Sequence, residues 1–177
     1  MHNKKYLLDL LDYNVWANEQ YFNQVHDLST DEVTKQCQTL VNNILISANH
    51  LLVIDQVWLA YKKAKTRPFE MLQTVLHEDL NDLFAIKRKM DKKIYNYVSG
   101  LGDDELEEVI DYELMGEIIG SLPRYMMIII HLAIHGGFCR GVIGVMFSQV
   151  SIMPVGQNIP FWERAMRDGQ VQAWAKS

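Results

Sequence analysis

Apolar residues recur every three or four positions along four long stretches of this chain, and two of those stretches also carry histidines. From Lys4 to Val25, the positions Tyr6, Leu7, Leu10, Leu11, Tyr13, Asn14, Ala17, Tyr21, Phe22 and Val25 mark one face of an amphipathic helix. Ser29 followed by Glu32 is a capping box, so a helical turn restarts there. A second long helix is expected from about Leu40 to Lys65, its face formed by Leu40, Ile44, Ser47, Leu51, Ile54, Trp58 and Tyr61, with His50 near its middle. Thr66-Arg67-Pro68 should end it, because proline disfavours helical geometry at the residue before it. The third helix is read from about Glu70 to Tyr97, with Leu72, Leu76, Leu80, Leu83, Ile86, Met90, Ile94 and Tyr97 facing inward.

The period then changes. Leu106 to Ile119 has no helical repeat and reads as two short extended pieces around Gly116. A fourth long helix should start with Ser121 as its cap and Pro123 in its first turn, reaching about Val150. It contains Gly136, Gly137, Gly141 and Gly144, each costing on the order of 1 kcal/mol against alanine. Ala133, Gly137, Gly141 and Gly144 share a face, which predicts close approach by another helix or a second copy of the chain; a break at Gly136-Gly137 is the alternative. Pro160 primes a short terminal helix from Ile159 to Met166. The pattern therefore predicts an all-α four-helix bundle, one domain over residues 1–177, with a short hairpin before the fourth helix.

Composition narrows the function classes. Net charge is −5, and no basic run exceeds Lys62-Lys63 or Lys87-Arg88-Lys89, which argues against nucleic acid as a partner. Lysines and acids alternate from Glu70 to Lys93, as on a solvated helix face. The most apolar segment, Tyr125 to Phe147, is interrupted by two histidines and Arg140, so a membrane span is not expected. The start leads directly into an amphipathic pattern, and Cys37 and Cys139 make no disulfide framework; a cytoplasmic location follows as the expectation.

The candidate chemistry lies in His131-Leu-Ala-Ile-His135-Gly-Gly-Phe-Cys139-Arg140-Gly141. Spacings of four place His131, His135 and Cys139 in one row, each step turning about 40° around the axis. From first to last the row rises about 12 Å, whereas metal bonds to nitrogen or sulfur are about 2.0 to 2.3 Å. One ion can thus join His135 to His131 or to Cys139, and spacing alone leaves both pairs open. His50, on the other apolar helix, offers a ligand from a facing element. Each of these histidines could instead be a core residue whose ring nitrogens find ordinary hydrogen bonds.

Three motifs carry a resemblance. Asp12-Tyr-Asn14-Val-Trp16-Ala-Asn18-Glu19 resembles the Y-N-x-W-A-N opening of the DinB-like (damage-inducible, YfiT-like) metalloenzyme family. His50, Asp55 and Trp58 resemble its H-x4-D-x2-W motif, and His131 to Gly141 resembles its last-helix pattern H-x2-N-H-x3-H-R-G-Q. The resemblance implies a divalent metal, zinc or nickel, held by His50, His135 and a third ligand at Cys139, where the family has histidine; His131 is the reserve ligand. Ile134 and Val142 also depart from the pattern. A thiol keeps a tetrahedral zinc site feasible but lowers its Lewis acidity relative to three imidazoles.

Asp55, about 140° around the helix from His50, is expected to support the ligands rather than to join them. Arg140 is a candidate for holding an anionic substrate or for snorkelling to the surface. The resemblance further implies a metal-dependent enzyme, with thiol S-transferase or hydrolase chemistry on a small molecule, and relatives that use low-molecular-weight thiols. A homodimer is expected from the glycine face. The reading from a different class is a metal-free helical binding module or structural dimer with a degenerate site.

Overall fold

A computed structural model describes residues 4–60, 74–114 and 118–170. Among them the chain forms α1 (Lys4–Val25), α2 (Thr30–Thr34), α3 (Ile44–Ala60), α4 (Leu80–Gly100), α5 (Asp103–Glu107), β1 (Val109–Leu114) and β2 (Ile118–Pro123). A π-helical stretch, Tyr125–Ile130, then runs into α6 (His131–Gln149), and α7 (Ile159–Arg167) follows. The protein is therefore helical with one small antiparallel hairpin, in which Val109 pairs with Pro123 and Leu114 with Ile118. The Thr66-Arg67-Pro68 break and Gly116 lie outside the described residues.

Packing of the long helices follows from their apolar faces: α1 and α3 each lie against both α4 and α6. The core divides into two clusters. One gathers Leu7 and Leu11 of α1, Val57 and Trp58 of α3, Ile94 and Val98 of α4, and Leu132 of α6. The other gathers Tyr21 and Phe22, Leu51 and Leu52, Leu83 and Phe84, and Ile143 and Phe147. Read along the chain, α1 and α6 pass from the first cluster to the second, whereas α3 and α4 pass from the second to the first. Consecutive α3 and α4 are thus parallel, and the chain must return to where α3 began. The fully buried Asn49 receives it there: its side-chain oxygen accepts from Leu76 N (2.8 Å) and His77 N (2.9 Å), and its amide donates to the His77 carbonyl (2.9 Å).

That clasp explains a departure from the periodicity. The third long helix begins at Leu80 rather than near Glu70, because Asn49 holds Leu76 and His77 in a non-helical run. Asp79 then caps the helix by accepting from Asp82 N at 2.9 Å. At the start of α3, Leu40 lies before the helix and is 75 % exposed, so the expected face is shorter there. The fourth helix also starts late. Ser121 and Pro123 belong to β2, where Ser121 Oγ donates to Asp111 Oδ1 (2.7 Å), and the Arg124 N–H donates back to Glu108 O (2.9 Å). Strand pairing of Ile118 and Ile119 with β1 wins over the helix-start signal. The terminal helix has its proline in the first turn as expected.

Between the two clusters runs a layer of buried polar side chains. Asn14 and Asn18 of α1 and Lys87 and Asp91 of α4 fall between the cluster members on their own helices, and Asp55 and Arg140 lie close to the junction on α3 and α6. Lys87 thereby corrects the reading of α4 as carrying only solvated charges: it is 2 % exposed. Among the described residues no helix is long and apolar enough to cross a membrane.

Candidate metal centre

His50 stands in the second turn of α3, and His135 and Cys139 stand one turn apart on α6, which packs against it. One nitrogen from each histidine and the Cys139 sulfur all lie within 4.8 Å of one another. Cys139 Sγ is 3.4 Å from His135 Nδ1 and 3.8 Å from its Nε2. The rings of His50 and His135 are 5.3 Å apart at 50°. Tetrahedral zinc with bonds of about 2.0 to 2.3 Å separates its ligand atoms by about 3.3 to 3.8 Å. The His135–Cys139 pair already has that spacing, and a His50 nitrogen lies within 4.8 Å of both. Two imidazoles and a thiol are also a donor set that suits zinc or nickel chemically, so the residues fit the ion that the resemblance implies.

The protonation states agree with donor chemistry. Burial, then the neighbouring His50 and His131, push His135 down to about 4. Its ring is therefore neutral at physiological pH and keeps a lone pair. Burial pushes the Cys139 thiol up to about 12; Asp55 adds to the rise and Arg140 opposes it. Without a cation this thiol stays protonated and unreactive, whereas coordination would remove its proton.

His131 is placed elsewhere. Its ring packs on Trp58, centroids 4.2 Å apart, and lies 5.3 Å from the His135 ring, outside the compact group of ligand atoms. Burial lowers its pKa as well. Phe138, 58 % exposed, lies 6.4 Å from the His135 ring and gives the centre an apolar outer rim.

Behind the ligands the polar layer joins the motifs. Asp55 Oδ2 lies 2.7 Å from Lys87 Nζ, and Lys87 also bonds Asp91. Burial and the second carboxylate oppose ionisation of Asp55, raising it to about 6 even though Lys87 pulls it down. Lys87 is raised, its ammonium held between the two acids against the effect of burial. Arg140 is buried rather than snorkelled: its Nη1 donates to Asn14 Oδ1 (2.8 Å) and Asn18 Oδ1 (2.7 Å), and its Nε donates to Gln157 Oε1 (3.1 Å).

The glycines sort by the same geometry. α6 has no break at Gly136-Gly137. The glycine that allows close approach is Gly136, where a Cβ would meet Asn14 Oδ1 at 2.7 Å and Arg140 Nη1 at 2.9 Å. At Gly137 and Gly141, both exposed, a Cβ would meet no other helix, so the face named from sequence is not a helix contact. Sequence reasoning missed Lys87 and Asp91, although they continue the apolar stripe of Leu83, Phe84, Ile94 and Tyr95 at intervals of three and four. It also missed Asn49, and it noticed Asn14 and Asn18 only as motif letters; no local signal ties them to Arg140.

The model of the DinB family matches residues 1–170 of the chain. A comparison with curated proteins gives no match.

Proposed function

Because the chain belongs to the DinB family, we propose that it holds a divalent transition metal, zinc or nickel, between α3 and α6 through His50, His135 and Cys139. The observation that supports this most is the convergence of their ligand atoms within 4.8 Å. His135 contributes a neutral ring, His50 a second imidazole nitrogen, and Cys139 contributes a thiolate once its proton has left to solvent. Asp55 and Lys87 stand behind the sulfur and fix the charge around it. When bound, such an ion supplies Lewis acidity and lowers the pKa of a thiol or water at an open position.

On this reading the protein is a metal-dependent enzyme, a thiol S-transferase or hydrolase acting on a small molecule, with a low-molecular-weight thiol as the co-substrate. Its apolar rim at Phe138 favours an electrophile with an apolar body. The span of the family match supports one domain across residues 1–177, and a homodimer is part of the same reading. A cytoplasmic location completes the proposal.

The test is metal analysis of untagged protein after exposure to zinc or nickel and desalting. The parent and His131→Ala are expected to retain about one equivalent, and His50→Ala, His135→Ala and Cys139→Ala to lose it. Less than about 0.1 equivalent in the parent would remove the metal and the enzyme reading together. Loss with His131→Ala but not with Cys139→Ala would reassign the third ligand.

A further inference from the structure

The far side of α6 carries a second concavity that the metal centre does not use. Its volume is about 540 Å³, within the usual range of small-molecule sites, and it opens between α6, α1 and the segment before α7. Gly137, Gly141 and Gly144 form its floor on α6, and Tyr13, Phe147 and Val155 are among its walls. Arg140 is its one charged lining residue among those described, and no acid lines it. One residue turns a helix by about 100°, so Arg140 faces away from Cys139 and toward this groove.

Arg140 is only 5 % exposed, yet every acceptor close to it is neutral: the amide oxygens of Asn14, Asn18 and Gln157 and the Tyr13 phenol. Its Nη2 is buried and has no hydrogen-bond partner. The phenol of Tyr13 lies beside the guanidinium but donates its own proton to Gln157 O at 2.8 Å. Asp91 acts on Arg140 only through space, its carboxylate being bonded to Lys87. A buried guanidinium ordinarily takes a carboxylate, which matches its fork of donors. Gly137 keeps the approach open, since a Cβ there would stand 4.0 Å from Nη2.

We propose that this groove binds a small carboxylate with an apolar body, its carboxylate taken by Nη2 of Arg140 and its apolar part lying along the glycines against Phe147 and Val155. The site is independent of the metal centre. It is tested by titrating the isotope-labelled, chelator-treated full chain with 3-phenylpropionate and with 3-phenylpropanamide, and following backbone amide resonances. Saturable shifts at Gly137, Gly141 and Gly144 are expected with the acid, and affinity weaker by about tenfold or more with the amide.

Gly141→Leu puts bulk into the groove at a position where an added Cβ meets nothing within 4 Å. It should abolish the shifts while the spectrum stays folded. Arg140→Lys should weaken acid binding specifically, and Cys139→Ala should leave it unchanged. Equal affinity for acid and amide, the absence of saturable groove shifts up to about 10 mM, or shifts that persist in Gly141→Leu would each overturn the proposal.

Discussion

Two polar clusters lie side by side in the helix packing, and they are built on opposite plans. In one, Asp55, Lys87 and Asp91 bring opposite charges into contact, one buried ammonium between two carboxylates. In the other, His135 and Cys139 are both neutral at physiological pH and touch only weakly, the sulfur lying 3.4 Å from Nδ1, and His50 converges on them from α3. The first cluster meets its charge with opposite charge from within the chain. On the proposed reading, a metal ion completes the second. Burial alone therefore does not identify a site; what distinguishes the two is whether the polar atoms close on one another.

The largest expected effect comes from opening the closed cluster. Lys87→Met leaves two carboxylates buried around an apolar side chain, and it should cost about 3 to 5 kcal/mol in denaturant unfolding. Adding Asp91→Asn should recover part of that loss, because one unpaired charge is then removed. A loss below about 1 kcal/mol would mean that the layer is wetter than its 2 % exposure indicates.

Filling the open cluster should act in the other direction. Zinc at about a hundred times its dissociation constant should stabilise the parent by about 2.7 kcal/mol. His135→Ala and Cys139→Ala should remove that increment, and His131→Ala should leave it. A zinc increment of the same size in Cys139→Ala would show that the sulfur is not a ligand, and the contrast between the clusters would then rest on the histidines alone.

The two clusters should also answer acid with opposite signs. In metal-free protein His135 has a folded pKa of about 4 against 6.5 unfolded, so between those values the unfolded chain binds more protons and stability falls as pH falls. Asp55 is raised to about 6 against 3.8, so the folded chain binds more protons in that window and stability rises as pH falls. Unfolding curves at several pH values between about 6.5 and 4 should show the two slopes partly cancelling in the parent. His135→Asn should leave a chain that gains stability on acidification, and Asp55→Asn one that loses it more steeply. The same slope in both variants would remove the assignment.

Helix periodicity made the four long helices readable, because α1 keeps one apolar face over its whole length, and the hairpin was readable where that period failed. The late start of α4 was not, since the side chain that holds Leu76 and His77 lies at Asn49, far away in sequence. Ser121 and Pro123 carry the same letters at a helix start and at a strand end, and only pairing with β1 decides between them. Of the candidate site, His50, His135 and Cys139 could be named because ligand types are rare on apolar helices. Spacing alone left His131 and Cys139 equivalent, both one turn from His135, and only the resemblance favoured Cys139. The role of Lys87 was hidden by composition, a lysine in a charged helix reading as solvated until its register against Leu83 and Ile94 is followed.

The smallest effects separate the closed layer from the open face of α6 at the level of single methyl groups. Glycine to alanine in a helix gains up to about 1 kcal/mol from propensity wherever the new Cβ is free. Gly141→Ala should show that gain in full, because nothing lies within 4 Å of the added carbon. Gly136→Ala places the same carbon 2.7 Å from Asn14 Oδ1 and 2.9 Å from Arg140 Nη1, so the gain is opposed by overpacking of about 1 to 3 kcal/mol. The net should be a loss of about 1 kcal/mol, together with weaker hydrogen bonding of Arg140 to Asn14. Denaturant midpoints of the two variants should therefore move in opposite directions from the parent. If Gly136→Ala were as stabilising as Gly141→Ala, α6 would have room to shift from α1, and the layer that holds Arg140 would not be the tightly closed element on which the contrast with the metal centre depends.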